Sequence, residues 1–284
     1  MGSQLSKDES FKVLDKAYEK GLRFLDTAEG YPTVMRPATH GQTEFLLGDW
    51  IRSRDLKDIL INTKVFGPGD VFRGGKTTLD RDEIRLALEG SMERLGLPCI
   101  DCYMLHWISN KPDEVEDVAG TMKELMQEGK ILSWGLSNTS YEGYEMYVDA
   151  SKRLNAPPPS IVQNRYSYGV DPTGVGQAPV PLMAYGVLRY GSFSGKYLDG
   201  ALPKGSRLPW LRDNFGVDIS HLKESPIVDE VIARAESLGI SPVQVAIDYV
   251  IRKPFTKNLV LGVTTTEQLD HALSTPVVRD ILRT

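Results

Sequence analysis

A chain of 284 residues with 41% hydrophobic and 25% charged residues has ordinary globular composition and material for a substantial core. A formal net charge of −5 without any block of Lys and Arg excludes a nucleic-acid surface, which depends on clustered cations. No apolar run approaches the roughly 20 residues of a membrane-spanning helix, and the opening residues carry no signal-peptide core, so the expected location is cytoplasmic.

The chain opens MGSQLS, where Gly2 and Ser6 fit the loose N-myristoylation pattern; the plainer reading is a turn glycine after Met1. Helical spacing of Phe11, Leu14, Asp15 and Tyr18 predicts a helix over 8–20, followed by Gly21. A first strand over 22–26 ends at Asp26, and the loop beyond it carries Tyr31. A helix over 43–54 leads to a strand over 59–63 that runs into Lys64. Ile84, Leu88, Met92 and Leu95 form one stripe on a helix over 82–95, closed by Gly96. The next strand, 100–106, ends at His106. A helix over 114–128 (then Gly129), a strand over 132–137, a helix over 142–154 and a strand over 161–163 continue the alternation. There the rhythm breaks: NRYSYGVDPTGVGQAPVP has several Pro and Gly and no helical stripe. Strand 182–185, helices over 226–238 and 242–253, with Gly239 between them, and a last strand over 258–262 complete the pattern.

Seven strands alternating with helices imply βαβ units and a parallel sheet. An open dinucleotide-binding sheet needs a glycine-rich turn between a strand and a helix start. The candidates GPGDVFRGG and TGVGQAP have no such helix start, so a (β/α)8 barrel in a single domain over 1–284 is the better expectation. Cys99 and Cys102 stand in CxxC spacing, but they fall in a predicted strand where positions three apart point to opposite faces. Packing is therefore expected of them rather than redox or metal chemistry.

A parallel barrel gathers the carboxyl ends of its strands at one face, which brings Asp26, Tyr31, Lys64 and His106 together. A phenol is a poor acid near neutrality unless a cation stabilises the phenolate. Lys64 supplies that cation, Asp26 orients it, and His106 polarises or positions a substrate oxygen. The set fits carbonyl reduction, provides neither a nucleophile nor a metal site, and requires a cofactor for the hydride. The bland alternative is a buried Asp26–Lys64 ion pair and a hydrogen-bonded core histidine. Four such residues at successive strand ends favour a site.

LDTAEGYP, INTKV, CIDCYMLHW, EGKILSWGLSN, IVQN and SGKY, in this order, resemble the aldo-keto reductase superfamily over nearly the whole chain. YPTVMRPATHGQTEFLLGDW is similar to its Tas-like, potassium-channel-β-subunit-like branch. The resemblance implies an NADP-dependent barrel that reduces aldehydes or ketones, with Asp26, Tyr31, Lys64 and His106 as catalytic tetrad. It also implies that Ser137, Asn138 and Gln163 hold the nicotinamide carboxamide and that Tyr185 stacks near the ring. Leu188, Lys196 and Arg207 match contacts to the pyrophosphate and adenosine phosphate, and Gly262, Thr264 and Gln268 the adenosine-binding turn. The expected partner is a small carbonyl substrate, with no nucleic acid and no membrane span.

The sequence also departs from the family pattern. The amino-terminal hairpin and first barrel strand have no counterpart, and the helix after the sixth family strand is missing, so an incomplete barrel is expected. Gly186, Val187 and Leu188 replace Ser-Pro-Leu, and His271 and Ala272 replace a Glu-Asn pair. Each lost polar contact costs about 1–3 kcal/mol if its partner is left unpaired. These departures keep two other readings open: an NADPH-binding regulatory or scaffold subunit with little turnover, and an inactive remnant. The short loop after His106, WISNKPDEVED, points to an open pocket but to no particular substrate.

Overall fold

The computed structural model describes residues 1, 4–33, 35–67, 79–170, 174–223 and 225–281. Gly2 and most of the glycine-rich stretch after the second strand lie outside the described residues. The chain divides into two compact units, one of Met1–Asn164 with Thr173–Pro181, the other of Arg165–Pro172 with Leu182–Thr284.

The first unit repeats strand and helix. Its helices are α1 (Lys7–Glu19), α2 (Gln42–Ser53), α3 (Arg81–Leu95), α4 (Pro112–Gln127) and α5 (Tyr141–Arg153). Its strands are β1 (Phe24–Asp26), β2 (Leu60–Val65), β3 (Ile100–Leu105), β4 (Ile131–Ser137) and β5 (Ile161–Arg165). Each strand pairs in parallel with the next in chain order. The helix starts are written in the sequence: Ser6 and Glu9 form a reciprocal capping box, and Asp80 and Ser140 accept backbone N–H bonds from Glu83 and Gly143. Gly96 closes α3 in the left-handed conformation at φ 69°, which suits a residue without Cβ.

Side-chain alternation on β2 decides what the sheet can do. Thr63 faces the helices, where its hydroxyl donates to the buried Glu44 carboxylate on α2 at 2.5 Å. Arg94 of α3 donates to the other Glu44 oxygen at 2.7 Å, which ties α2, α3 and β2 together. Asn62 and Lys64 project from the opposite face, beside Cys102 and Met104 of β3 in register. Trp50, Tyr103, Trp134 and Tyr147 are fully buried, and each contributes roughly 1.5–3 kcal/mol through the apolar surface it removes from water. Helices α2 and α3 approach closely at Gly48, where an added Cβ would lie 2.5 Å from the Arg94 carbonyl oxygen.

The second unit pairs β6 (Leu182–Tyr185) in parallel with β7 (Thr256–Leu259). It also holds α6 (Arg207–Phe215), α7 (Ser220–Lys223), α8 (Pro226–Leu238), α9 (Pro242–Ile251), α10 (Thr266–Leu273) and α11 (Pro276–Ile281). One core joins Tyr168, Phe193, Val228, Val231 and Val245; another joins Tyr197, Leu208 and Leu211.

The expected last strand over 258–262 is displaced. It begins at Thr256, opposite Leu182, and Gly262 lies beyond it. The hydrogen-bonded ladder starts through the polar residues Thr256 and Lys257, whereas the apolar run that guided the expectation begins later. Helices α6, α7, α10 and α11 go beyond the expectation from sequence, each having nine residues or fewer. For α10 a start signal is present: Thr265 caps the backbone N–H of Gln268, a Thr-x-x-Gln spacing. Between β5 and β6 the described residues hold a 3-10 turn at Val175–Gln177 and a bridge between Ser167 and Val170, and no α-helix, as the sequence implied. Among the described residues, no helix is long and apolar enough to cross a membrane.

Candidate active site

Lys64 is fully buried, and its ammonium has two anchors. Both Asp26 oxygens lie 2.9 Å from Nζ, and Nζ donates to the Thr27 carbonyl at 2.7 Å. Burial works against the charged form. The charges of Asp26 and Tyr31 and the hydrogen bonds to Asp26 outweigh it, so Lys64 holds its proton above the ordinary lysine range. The ammonium is 5.6 Å from the centre of the Tyr31 ring.

Tyr31 and His106 meet beyond the ends of β1 and β3. Their rings stand edge to face at 5.6 Å between centroids. The loop carrying Tyr31 is pinned by its own backbone: Gly41 N–H donates to the Glu29 carbonyl at 2.8 Å, and Thr43 N–H to the Tyr31 carbonyl at 3.3 Å. Buried Glu29 accepts the Phe66 N–H at 2.6 Å and so joins this loop to the end of β2. Phe66 and Trp107 flank the His106 ring, Phe66 edge-on at 5.6 Å and Trp107 stacked at 6.2 Å. Burial, reinforced by the Lys64 charge, pushes the His106 imidazole down to about 3, so the ring is neutral across physiological pH. Its Nδ1 is buried without a hydrogen-bond partner among the described residues.

Ser137, Asn138 and Gln163 gather at the ends of β4 and β5. Ser137 Oγ donates to the Gln163 carbonyl at 2.9 Å, and Asn138 Nδ2 to the His106 carbonyl at 2.8 Å. Asn138 sits at φ 54°, a left-handed position that asparagine tolerates. The Gln163 side chain reaches from β5 across to β1, where Nε2 donates to Asp26 Oδ1 at 2.8 Å. Asn62, which the sequence reading passed over as part of a strand, donates from Nδ2 to the same oxygen at 2.5 Å. A polar residue two positions before Lys64, hence on the same strand face, was the signal.

The remaining expected residues belong to the second unit. Tyr185 ends β6. Leu188 packs against the core around Phe193. It opens a turn over Arg189–Ser194 in which Arg189 and Tyr190 adopt φ 46° and 57°, left-handed values that cost L residues roughly 1–2 kcal/mol each. Arg189 Nη1 and Ser192 Oγ in this turn are buried without hydrogen-bond partners among the described residues. The Lys196 ammonium lies alongside, 3.0 Å from where a Cβ on Gly191 would be. Arg207 starts α6 with its guanidinium 4.0 Å from the centre of the Trp210 ring. Gly262 precedes the turn in which the Thr264 N–H and hydroxyl both meet Gln268 Oε1, at 2.9 and 3.2 Å. His271 Nε2 is 2.7 Å from Ser241 Oγ, and Ala272 is buried in the core face of α10, so both departures from the family pattern have structural roles here.

Both cysteines are free thiols. Burial pushes Cys102 up to about 12, and burial raises Cys99 as well. Among the described residues no group of three or more His, Cys, Asp or Glu side chains is arranged to hold a metal ion.

The sequence model of the Aldo/keto reductase family matches residues 1–276. The protein tas of Escherichia coli K12 is 31% identical over 94% of this chain and 84% of its own length. A putative voltage-gated potassium channel subunit beta from Schizosaccharomyces pombe is 29% identical over 90% of this chain and 75% of its length. Among solved structures, an aldo/keto reductase from Klebsiella pneumoniae, in complex with NADP and acetate, superposes with a TM-score of 0.66 at 21% identity. It covers 99% of this chain and 86% of the other, which shows a shared fold.

Proposed function

Because this chain belongs to the aldo/keto reductase family, we propose that it is an NADP(H)-dependent oxidoreductase reducing aldehydes or ketones, working as one domain in the cytoplasm. The observation that carries the proposal is the buried Lys64 ammonium, clamped by Asp26 and set 5.6 Å from the Tyr31 ring. In a dry site that cation lowers the cost of the phenolate, so Tyr31 gives its proton to the substrate oxygen. Neutral His106 donates a hydrogen bond to that oxygen without competing as an acid. Asp26 keeps the lysine in place. NADPH, when bound, supplies the hydride to the carbonyl carbon.

The residues present fit such a cofactor. Arg189 Nη1 and Ser192 Oγ are buried polar groups without hydrogen-bond partners among the described residues, and a phosphate would offer acceptors to both. Arg189 and Ser192 therefore join Leu188, Lys196 and Arg207 as the residues that would hold the phosphates. Ser137, Asn138 and Gln163 would hold the carboxamide, Tyr185 the ring, and Gly262, Thr264 and Gln268 the adenosine. Lys196 and Arg207 favour the phosphorylated nucleotide over the unphosphorylated one. Absorbance of NADPH followed with a panel of aldehydes tests the reading: Tyr31→Phe should lower the rate by about 10²–10⁴-fold. A parent rate equal to that of Tyr31→Phe would sink it.

The resemblance to a putative potassium channel subunit beta favours one further reading, a nucleotide-binding regulatory subunit. Tight NADPH binding without turnover, together with a co-purifying larger partner, would establish it in place of the first.

A further inference from the structure

Asn62 lies at the middle of β2, fully buried, directly opposite Asp26 in the strand register. One end of its amide donates to Asp26 Oδ1 at 2.5 Å; the other end, Oδ1, is buried with no hydrogen-bond partner among the described residues. A buried amide with one end unsatisfied is a poor choice for stability, and an apolar side chain of the same size would suit a strand interior better. Its presence is explained by what it holds. Asp26 Oδ1 accepts from three donors, Asn62 Nδ2, Lys64 Nζ and Gln163 Nε2, which approach from β2 and β5. Asn62 is the one neutral donor adjacent to Asp26 in the β1–β2 register.

We infer that Asn62 is a positioning residue: its amide fixes the Asp26 carboxylate so that Lys64 keeps its charge shared with Tyr31. The inference rests on the reading of Asp26, Lys64 and Tyr31 given above. Without the amide, Oδ1 loses one of its three donors, and the carboxylate, already on Lys64 through both oxygens, takes more of the ammonium's charge and leaves less for the phenol. Tyr31 then becomes a weaker acid and delivers its proton more slowly. The ionisable groups facing this cluster are Asp26 on β1, Glu29 and Tyr31 from the loop after it, Lys64 on β2, Cys102 on β3 and His106 beyond β3.

Two substitutions separate positioning from packing. Asn62→Leu removes the donor at nearly constant volume, and Asn62→Asp keeps the shape while replacing the donor by a second carboxylate. Asn62→Leu should lower kcat by about tenfold with the KM for NADPH unchanged, while the urea midpoint stays level or rises. The Tyr31 phenol titration, read by NMR of ring-labelled tyrosine and assigned with Tyr31→Phe, should move to higher pH in Asn62→Leu and further in Asn62→Asp. An unchanged titration in both variants overturns the inference. So does a loss of stability in Asn62→Leu that accounts for its loss of activity. If the parent turns over no NADPH, the reductase reading falls, and the titration alone still decides the part played by Asn62.

Discussion

Lys64 and Arg189 are both cationic side chains with buried nitrogens, and they are treated in opposite ways. Lys64, in the first unit, finds a carboxylate and a carbonyl within 2.9 Å, so its charge is answered by the fold itself. Arg189, in the second, sits on a left-handed backbone with Nη1 unanswered by any described residue. The first arrangement makes geometry that exists before anything binds; the second stores a demand for an anion. Strain and orphaned donors concentrated in one turn are what a ligand clamp looks like before it is filled. The first unit meets its buried cation with its own groups, whereas the second leaves buried donors without partners among the described residues.

The sharpest way to break the contrast is to remove the answer from Lys64. Asp26→Leu leaves an uncompensated buried ammonium and should cost about 3–5 kcal/mol in a urea titration, while Asp26→Leu combined with Lys64→Met should recover most of it. A single-variant loss below about 1 kcal/mol would mean the pair is solvated rather than structural. Arg189→Leu should do the reverse: no loss of stability without nucleotide, but about a tenfold weaker response of the urea midpoint to NADPH. Equal nucleotide stabilisation in parent and variant would remove Arg189 from the clamp.

The smallest effect is that of pH on the first unit. His106 is neutral in the fold because burial holds its proton affinity far below the unfolded value of about 6.5. The unfolded chain then binds more protons between about pH 6.5 and 3, so stability is complete above that window and declines as pH falls through it. Urea midpoints should drop between about pH 7 and pH 5, and by less in His106→Asn. A midpoint that stays level, or falls equally in both proteins, would place the imidazole in contact with water.

Most of the first unit was legible in the sequence because its strands are apolar runs ending in polar residues, a pattern set by burial on both faces. Asp26, Lys64 and His106 follow from that pattern alone, and the structure brings all three together with Tyr31. Asn62 escaped because it sits inside the run, where a polar residue reads as a lapse rather than a device. In the second unit α8 and α9 are long enough to be read from the sequence, whereas α6, α7, α10 and α11 have nine residues or fewer, so periodicity had little to act on. The polar start of β7 misplaced a strand whose ladder depends on backbone hydrogen bonds rather than on apolar side chains. Arg189 and Ser192 were unreadable for a different reason: an orphaned donor is a property of its surroundings, not of residue type.

One further consequence comes from Cys102, which stands between Asn62 and Ser133 in the strand register. Its thiol keeps its proton up to about pH 12, and the other sulfhydryl, at Cys99, is also held protonated by burial. Peroxides and alkylating electrophiles attack the thiolate. Both thiols are thus held in the form that such reagents attack slowly.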